Sequence, residues 1–128
     1  YLAFGGYPAV VLADTLVEKM RVMDEIALQL REKLAHTPFH LHFWKSKAGA
    51  EVDFVMETGA GVIPIEVKYQ TLKDTHIPRS LRSFISSYNP SVAYIVNLSL
   101  KASIQLEKTE IKFVRWWELP KALEVERT

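Results

Sequence analysis

Leu16, Met20, Met23, Ala27, Leu30 and Leu34 recur at intervals of three and four, in a stretch from Asp14 to Ala35 that contains neither glycine nor proline. That spacing predicts an amphipathic helix over 14–35, with Asp14 as its N-cap. Before it, YLAFGGYPAVVLA (1–13) is apolar and broken by Gly-Gly and Pro, the pattern of a docking segment rather than a core strand. After it the period changes. FHLHFW (39–44) alternates large apolar residues with His40 and His42 and predicts a strand. SKAGA turns the chain into EVDFVME (51–57), and a short Gly-containing loop leads to GVIPIEVKY (61–69). Two strands so close in sequence predict a β-hairpin.

The second half reads in the same way. DTHIPRSLRSFISSY predicts a helix with proline near its start, stopped by Asn89-Pro90. VAYIVNL is a continuous apolar run, expected of a strand covered on both faces. SIQLE is a candidate short strand, IKFVRW a strand leading outward, and WWELPKALEVE a terminal helix interrupted or restarted at Pro120. Together these predict an α/β domain over 14–128, in which a central mixed β-sheet is flanked by helices.

Composition narrows the chemistry. The chain has 128 residues, enough for one core, and no cysteine, so disulfides and thiolate metal sites are excluded. Any metal must be held by carboxylates, carbonyls or imidazole. The net charge of +1 neither argues for nucleic acid nor against it. No apolar run reaches the ~18 residues of a membrane span, and no charged n-region precedes an apolar stretch, so no membrane association and a cytoplasmic location are expected. The chain opens on Tyr1 rather than Met, which suggests a piece of something longer.

Candidate chemistry concentrates in AGAEVDFVMETGAGVIPIEVKYQ (48–70). If 51–57 and 62–68 pair as a hairpin, alternation puts Glu51, Asp53 and Val55 on one face of the first strand and Glu66 and Lys68 on one face of the second. Asp53 can then meet Glu66 and Lys68. Two carboxylates, with the Val67 carbonyl between Glu66 and Lys68, offer the hard oxygen ligands that Mg²⁺ prefers. A lysine beside them could orient a nucleophilic water and offset charge on a phosphate. The competing explanation is an ordinary solvated strand face carrying an ion pair.

Asp53 followed by Glu66-Val67-Lys68 resembles the PD-(D/E)XK nuclease superfamily, whose members share a restriction-endonuclease-like fold. The longer string FWKSKAGAEVDFV…IPIEVKY…RSLRSFISSYNPSVAYIV resembles more narrowly the C-terminal domain of bacterial and archaeal AAA-type P-loop ATPases, in which FGGYP-like segments also occur. The resemblance covers 39–118 well and 1–38 loosely. It implies a hydrolase, a DNA endonuclease dependent on Mg²⁺ or Mn²⁺, with Asp53 and Glu66 as metal ligands, joined by the Val67 carbonyl, and Lys68 as the catalytic lysine. It also implies a carboxylate from the first helix, for which Glu25 is the candidate, with Asp24 and Glu18 behind it.

The sequence departs from the family in carrying Val52 before Asp53 where proline is usual. It contains no GxxxxGK[ST], and it is short between FGGYP and the nuclease-like core. An ATPase module would therefore be a partner chain or a missing part. Members of the superfamily also keep the fold without the chemistry, so the alternative is an inactive nuclease-fold module for DNA docking or protein interaction.

Lys45, Lys47, Lys73, Arg79 and Arg82 flank the proposed site, and with Trp44 and Tyr69 they are the candidates for holding a DNA backbone, against a simple solubility role. His36, His40 and His42 raise a metal reading, but alternation puts only the His40/His42 pair on one strand face, without a third ligand in view, which argues against it. Trp116 and Trp117 would cap the core or a partner surface. YLAFGGYPAVVL is the candidate interface, with an ATPase module or with a second copy in a homodimer.

Overall fold

The computed structural model describes the backbone of residues 3–4 and 7–125 and the side chains of 16–124. Two short strands, β1 (Ala3–Phe4) and β2 (Tyr7–Pro8), pair antiparallel and lead directly into α1 (Ala9–Leu34). The helix thus starts five residues before Asp14. Asp14 lies inside it and does not cap it, and the expected boundary at 13/14 falls within one continuous helix. The side chains of the proposed interface YLAFGGYPAVVL lie outside the described residues.

Six further strands form one mixed sheet in the order β3-β4-β5-β6-β8-β7. They are β3 (Leu41–Lys45), β4 (Glu51–Thr58), β5 (Gly61–Val67), β6 (Val92–Asn97), β7 (Ala102–Leu106) and β8 (Thr109–Arg115). β3, β4 and β5 form an antiparallel meander; β5, β6 and β8 run parallel, and β7 returns antiparallel on β8. The parallel step from β5 to β6 is made through α2 (Arg79–Tyr88). Its N-cap is Pro78, and Asn89 ends it in the left-handed conformation at φ 48°, with its N–H on the Ile85 carbonyl and Pro90 next. A 3-10 turn (Trp116–Glu118) runs into α3 (Leu119–Val125), so the terminal helix starts one residue before Pro120, with proline in its first turn, where its missing N–H costs nothing.

Helices cover both faces. On one, Val22, Ile26 and Leu30 of α1 and Leu119 and Leu123 of α3 pack on Met56, Ile63, Ile65, Val67, Val92, Tyr94 and Val96. On the other, Leu81, Phe84 and Ile85 of α2 pack on Val52, Val55, Ala93, Ile95, Ile111 and Phe113. β6 sends alternate residues to each face and is buried throughout, the reason its sequence is apolar without a period.

The helix stripe expected from the spacing is corrected by about a quarter turn: Met23, Leu30 and Leu34 of that stripe do face the core, while its other edge is left outside. Val22, Ile26 and Leu30 are buried, with Met23 and Leu34 packed beside them, whereas Leu16 and Met20 are 60% and 66% exposed. The apolar arc of α1 is wider than its contact, and local spacing cannot say which edge of it meets the sheet.

Candidate active site

The site grows from an irregularity in β4. Between His42 and Trp44 the β3 strand advances two residues, while its partner positions on β4 run from Val55 to Val52, an advance of three. The extra residue is a β-bulge at Asp53-Phe54. Val52 and Val55, three apart, consequently both reach the α2 side of the sheet, which strict alternation forbids. The expected grouping of Glu51, Asp53 and Val55 on one face is therefore broken at Asp53. A bulge frees its extra residue from the ladder and re-aims the side chain.

The freed side chain takes over a backbone role. The β4–β5 ladder runs from Thr58↔Gly61 to Phe54↔Ile65, and just beyond it Asp53 Oδ2 accepts the Val67 N–H at 2.8 Å. In a strand the carbonyl projects to the same side as the N–H, so the Val67 carbonyl also faces the β4 edge. The next residue bonds the other way, Lys68 N–H donating to the Val96 carbonyl at 2.7 Å. Asp53, Glu66, Val67 and Lys68 thus converge where β4 parts from β5 while β5 stays joined to β6.

Glu66 is 7% exposed, on a strand otherwise carrying core residues. Burial, then a hydrogen bond with the Asp53 carboxyl and repulsion from its charge, push Glu66 up to about 8, against the pull of Lys68 and Lys19. Two carboxyls in such contact cannot both ionise cheaply, and Glu66 is the one that keeps its proton. A divalent cation is the other species that relieves such a pair. Asp53, Glu66 and the Val67 carbonyl supply the hard oxygens that Mg²⁺ or Mn²⁺ takes, so the donor chemistry fits. Among the described residues no group of three or more His, Asp or Glu converges.

Glu25 stands apart from the pair. It is exposed on α1 and accepts a hydrogen bond from Gln29 Nε2 at 3.2 Å. Asp24 is exposed beside it, and Glu18 pairs with Arg21 at 3.1 Å. The α1 charge that acts on Glu66 is Lys19, which sequence reasoning missed. Its signal was available: Lys19 stands three, four and seven residues before Val22, Met23 and Ile26, on the core-facing side of the helix.

None of Lys45, Lys47, Lys73, Arg79 and Arg82 is among the charges acting on Glu66, and all five are exposed. Lys45 pairs with Glu51 at 3.5 Å across the β3–β4 turn that also carries Lys47. Arg79 and Arg82 lie on α2. Trp44 serves packing, edge-on to Phe84 and Tyr88, with Nε1 donating to the Tyr88 hydroxyl at 3.2 Å. Tyr69 packs against the α1-side core. His40 and His42 stand 6.2 Å apart, His42 Nε2 lies 3.6 Å from Glu57, and His36 is exposed. Trp116 packs on the core, while Trp117 is exposed under the Arg115 guanidinium.

No described helix is long and apolar enough to cross a membrane. No curated protein matches the chain. A family profile does match it, over residues 23–119, from within α1 to the start of α3, and so takes in the whole six-stranded sheet and the Asp53–Glu66–Lys68 cluster. The chain belongs to this family, described as a domain of unknown function (DUF4143).

Proposed function

We propose that the chain is a PD-(D/E)XK-type nuclease domain, a hydrolase that cleaves DNA phosphodiester bonds with Mg²⁺ or Mn²⁺. The observation that carries this reading is the contact of the Asp53 and Glu66 carboxyls at the parting of β4 and β5, two residues from Lys68. A solvated strand face would not bury one of the two carboxyls and bond it to the other. The likeness to the C-terminal domain of AAA-type ATPases supports the same reading and makes an ATPase module a candidate partner.

Asp53 and Glu66, with the Val67 carbonyl, would hold the ion; when bound, it lowers the pKa of water and offsets phosphate charge. The protein's own contribution is positional. The Val67 N–H fixes Asp53 Oδ2 and so sets the direction of the whole carboxylate before any ligand arrives. Lys68 places an ammonium beside the pair, to orient the attacking water and to stabilise negative charge as it develops on the phosphate.

One observation favours the inactive-module alternative. Where the family suggests a helix carboxylate, the α1 charge that acts on Glu66 is that of Lys19, a cation that cannot ligate a metal. Calorimetry with Mn²⁺ and Mg²⁺ on the wild type, Asp53→Ala and Glu66→Ala, followed by assays on plasmid and branched DNA, separates the two. Metal binding and nicking by the wild type, lost in both variants, supports the nuclease. Absence of metal binding in all three leaves the docking module.

A further inference from the structure

We infer that the outward face of α1 pairs with the same face of a second copy of this chain, antiparallel about a two-fold axis near residues 22–23. The proposal is independent of the nuclease reading. It starts from Val17, Met20 and Leu28, which are 53%, 66% and 52% exposed and are three of the seven large apolar side chains exposed among the described residues. At about 100° per residue all three fall on the side of α1 away from Val22, Ile26 and Leu30. An apolar stripe of this size rimmed by charge marks an interaction surface rather than scattered exposure.

The charge pattern selects the occupant. Laid antiparallel on itself about residues 22–23, the stripe sets Val17 of one copy opposite Leu28 of the other, and Arg21 opposite Asp24. A two-fold axis repeats each match, as an isologous interface requires. A foreign partner would give the stripe no reason to be complementary to itself. Val17, Met20, Arg21, Asp24, Glu25 and Leu28 line one shallow groove, so the apolar and charged members share a surface. Among the described residues Arg21 pairs with Glu18 of its own helix at 3.1 Å, with 70% and 47% of the two side chains exposed. An exposed pair of that kind contributes little and is readily shared with a second acceptor. At 1.5 Å per residue the 26-residue helix is about 39 Å long, enough for several heptads of contact. The area of one helix pair is below that of obligate dimers, so the association should be reversible.

The test is sedimentation equilibrium of the 128-residue chain over roughly a hundred-fold range of concentration, since a reversible dimer follows mass action. The expected result is a concentration-dependent dimer, weakened at least tenfold by Met20→Glu, by Arg21→Glu and by Asp24→Arg, each with an unchanged thermal midpoint at concentrations where the wild type is monomeric. The combined Arg21→Glu/Asp24→Arg variant should recover the wild-type association, because the reversed charges meet again across the axis. A wild type that is monomeric throughout overturns the proposal. So does a dimer indifferent to Met20→Glu, or a double variant no better than its single parents.

Discussion

Asp53 Oδ2 accepts the Val67 backbone N–H at 2.8 Å, so a side chain closes the ladder where the β4 backbone has bulged away from it. This one bond joins two tasks. It satisfies a backbone donor at the end of the paired region, and it fixes the carboxylate that meets Glu66. Asp53→Ala removes both at once and should cost stability as well as metal binding. Asp53→Asn keeps an oxygen for Val67 and should cost metal affinity with little loss of stability, a contrast that urea unfolding and calorimetry can read together.

Glu66 gives the chain a pH signature. Its folded-state value of about 8 lies above the ordinary value of 4.5, so between the two the folded chain holds a proton that the unfolded chain has released. Stability from this group is complete below the lower value and is lost as pH rises toward 8, with a slope of at most about 1.4 kcal/mol per pH unit. In the presence of a chelator, Glu66→Gln should show a flatter stability profile across that window than the wild type. Metal binding should release close to one proton at neutral pH, visible as a buffer-dependent heat, and should tighten as pH rises. Parallel profiles for the two proteins would show that Glu66 is not held protonated.

The two lysines should separate by assay. Lys68→Met is expected to bind Mn²⁺ but to lose cleavage by roughly 10²–10³-fold, the scale of losing one transition-state stabiliser. Lys19→Met removes a cation that favours ionised Glu66, so the pH midpoint of metal binding should move upward. Titration of metal affinity against pH for both variants checks this, and an unmoved midpoint in Lys19→Met would free Lys19 of any part in the site.

Asn97 is a structural keystone rather than a site residue. Buried at the end of β6, its Nδ2 donates to the carbonyls of Leu100 at 3.0 Å and Val114 at 3.2 Å, and its Oδ1 accepts from the N–H groups of Ser99 at 2.9 Å and Leu100 at 2.6 Å. Asn97→Ala strands several buried partners and should destabilise the fold by about 2–4 kcal/mol in urea unfolding. Asn97→Asp should be no better, since it keeps the acceptor but loses both donors.

A second pH effect belongs to the exit from β8. Arg115 grips Glu118 with Nε at 2.7 Å and Nη2 at 2.8 Å, and its N–H adds a third bond at 3.0 Å. These bonds hold Glu118 down to about 2. The stability from Glu118 is therefore present above the ordinary carboxyl range and is lost as pH falls through about 2. Wild type and Glu118→Gln should differ in thermal midpoint at neutral pH and converge in strong acid.

Much of this architecture is legible in residue order. The unpunctuated helix, the hairpin around Gly59-Ala60-Gly61, the stop at Asn89-Pro90 and the doubly covered VAYIVNL all follow from local pattern, because backbone sterics and period are local properties. The start of α1 was misread because Ala9–Ala13 form helix without a capping side chain to announce it. Trp44 looked available to a ligand because an aromatic beside lysines carries no mark of what it packs against. Lys19 is missed in the sequence because the apolar spacing puts the buried side of α1 about a quarter turn from where it lies.

By itself the sequence determined which segments are helix and strand, that the sheet is mixed, and that Asp53 and Glu66 stand on adjacent strands with Lys68 just past the second. Only the tertiary structure decided that β4 bulges at Asp53, that Glu66 is buried against it, that the α1 charge acting on Glu66 is Lys19 rather than Glu25, and that one apolar edge of α1 is left outside. The division has a physical reason. Period and capping are fixed by neighbours a few residues away, whereas a bulge, a desolvated carboxyl and the choice of helix face depend on groups far off in the chain, whose approach no local pattern encodes.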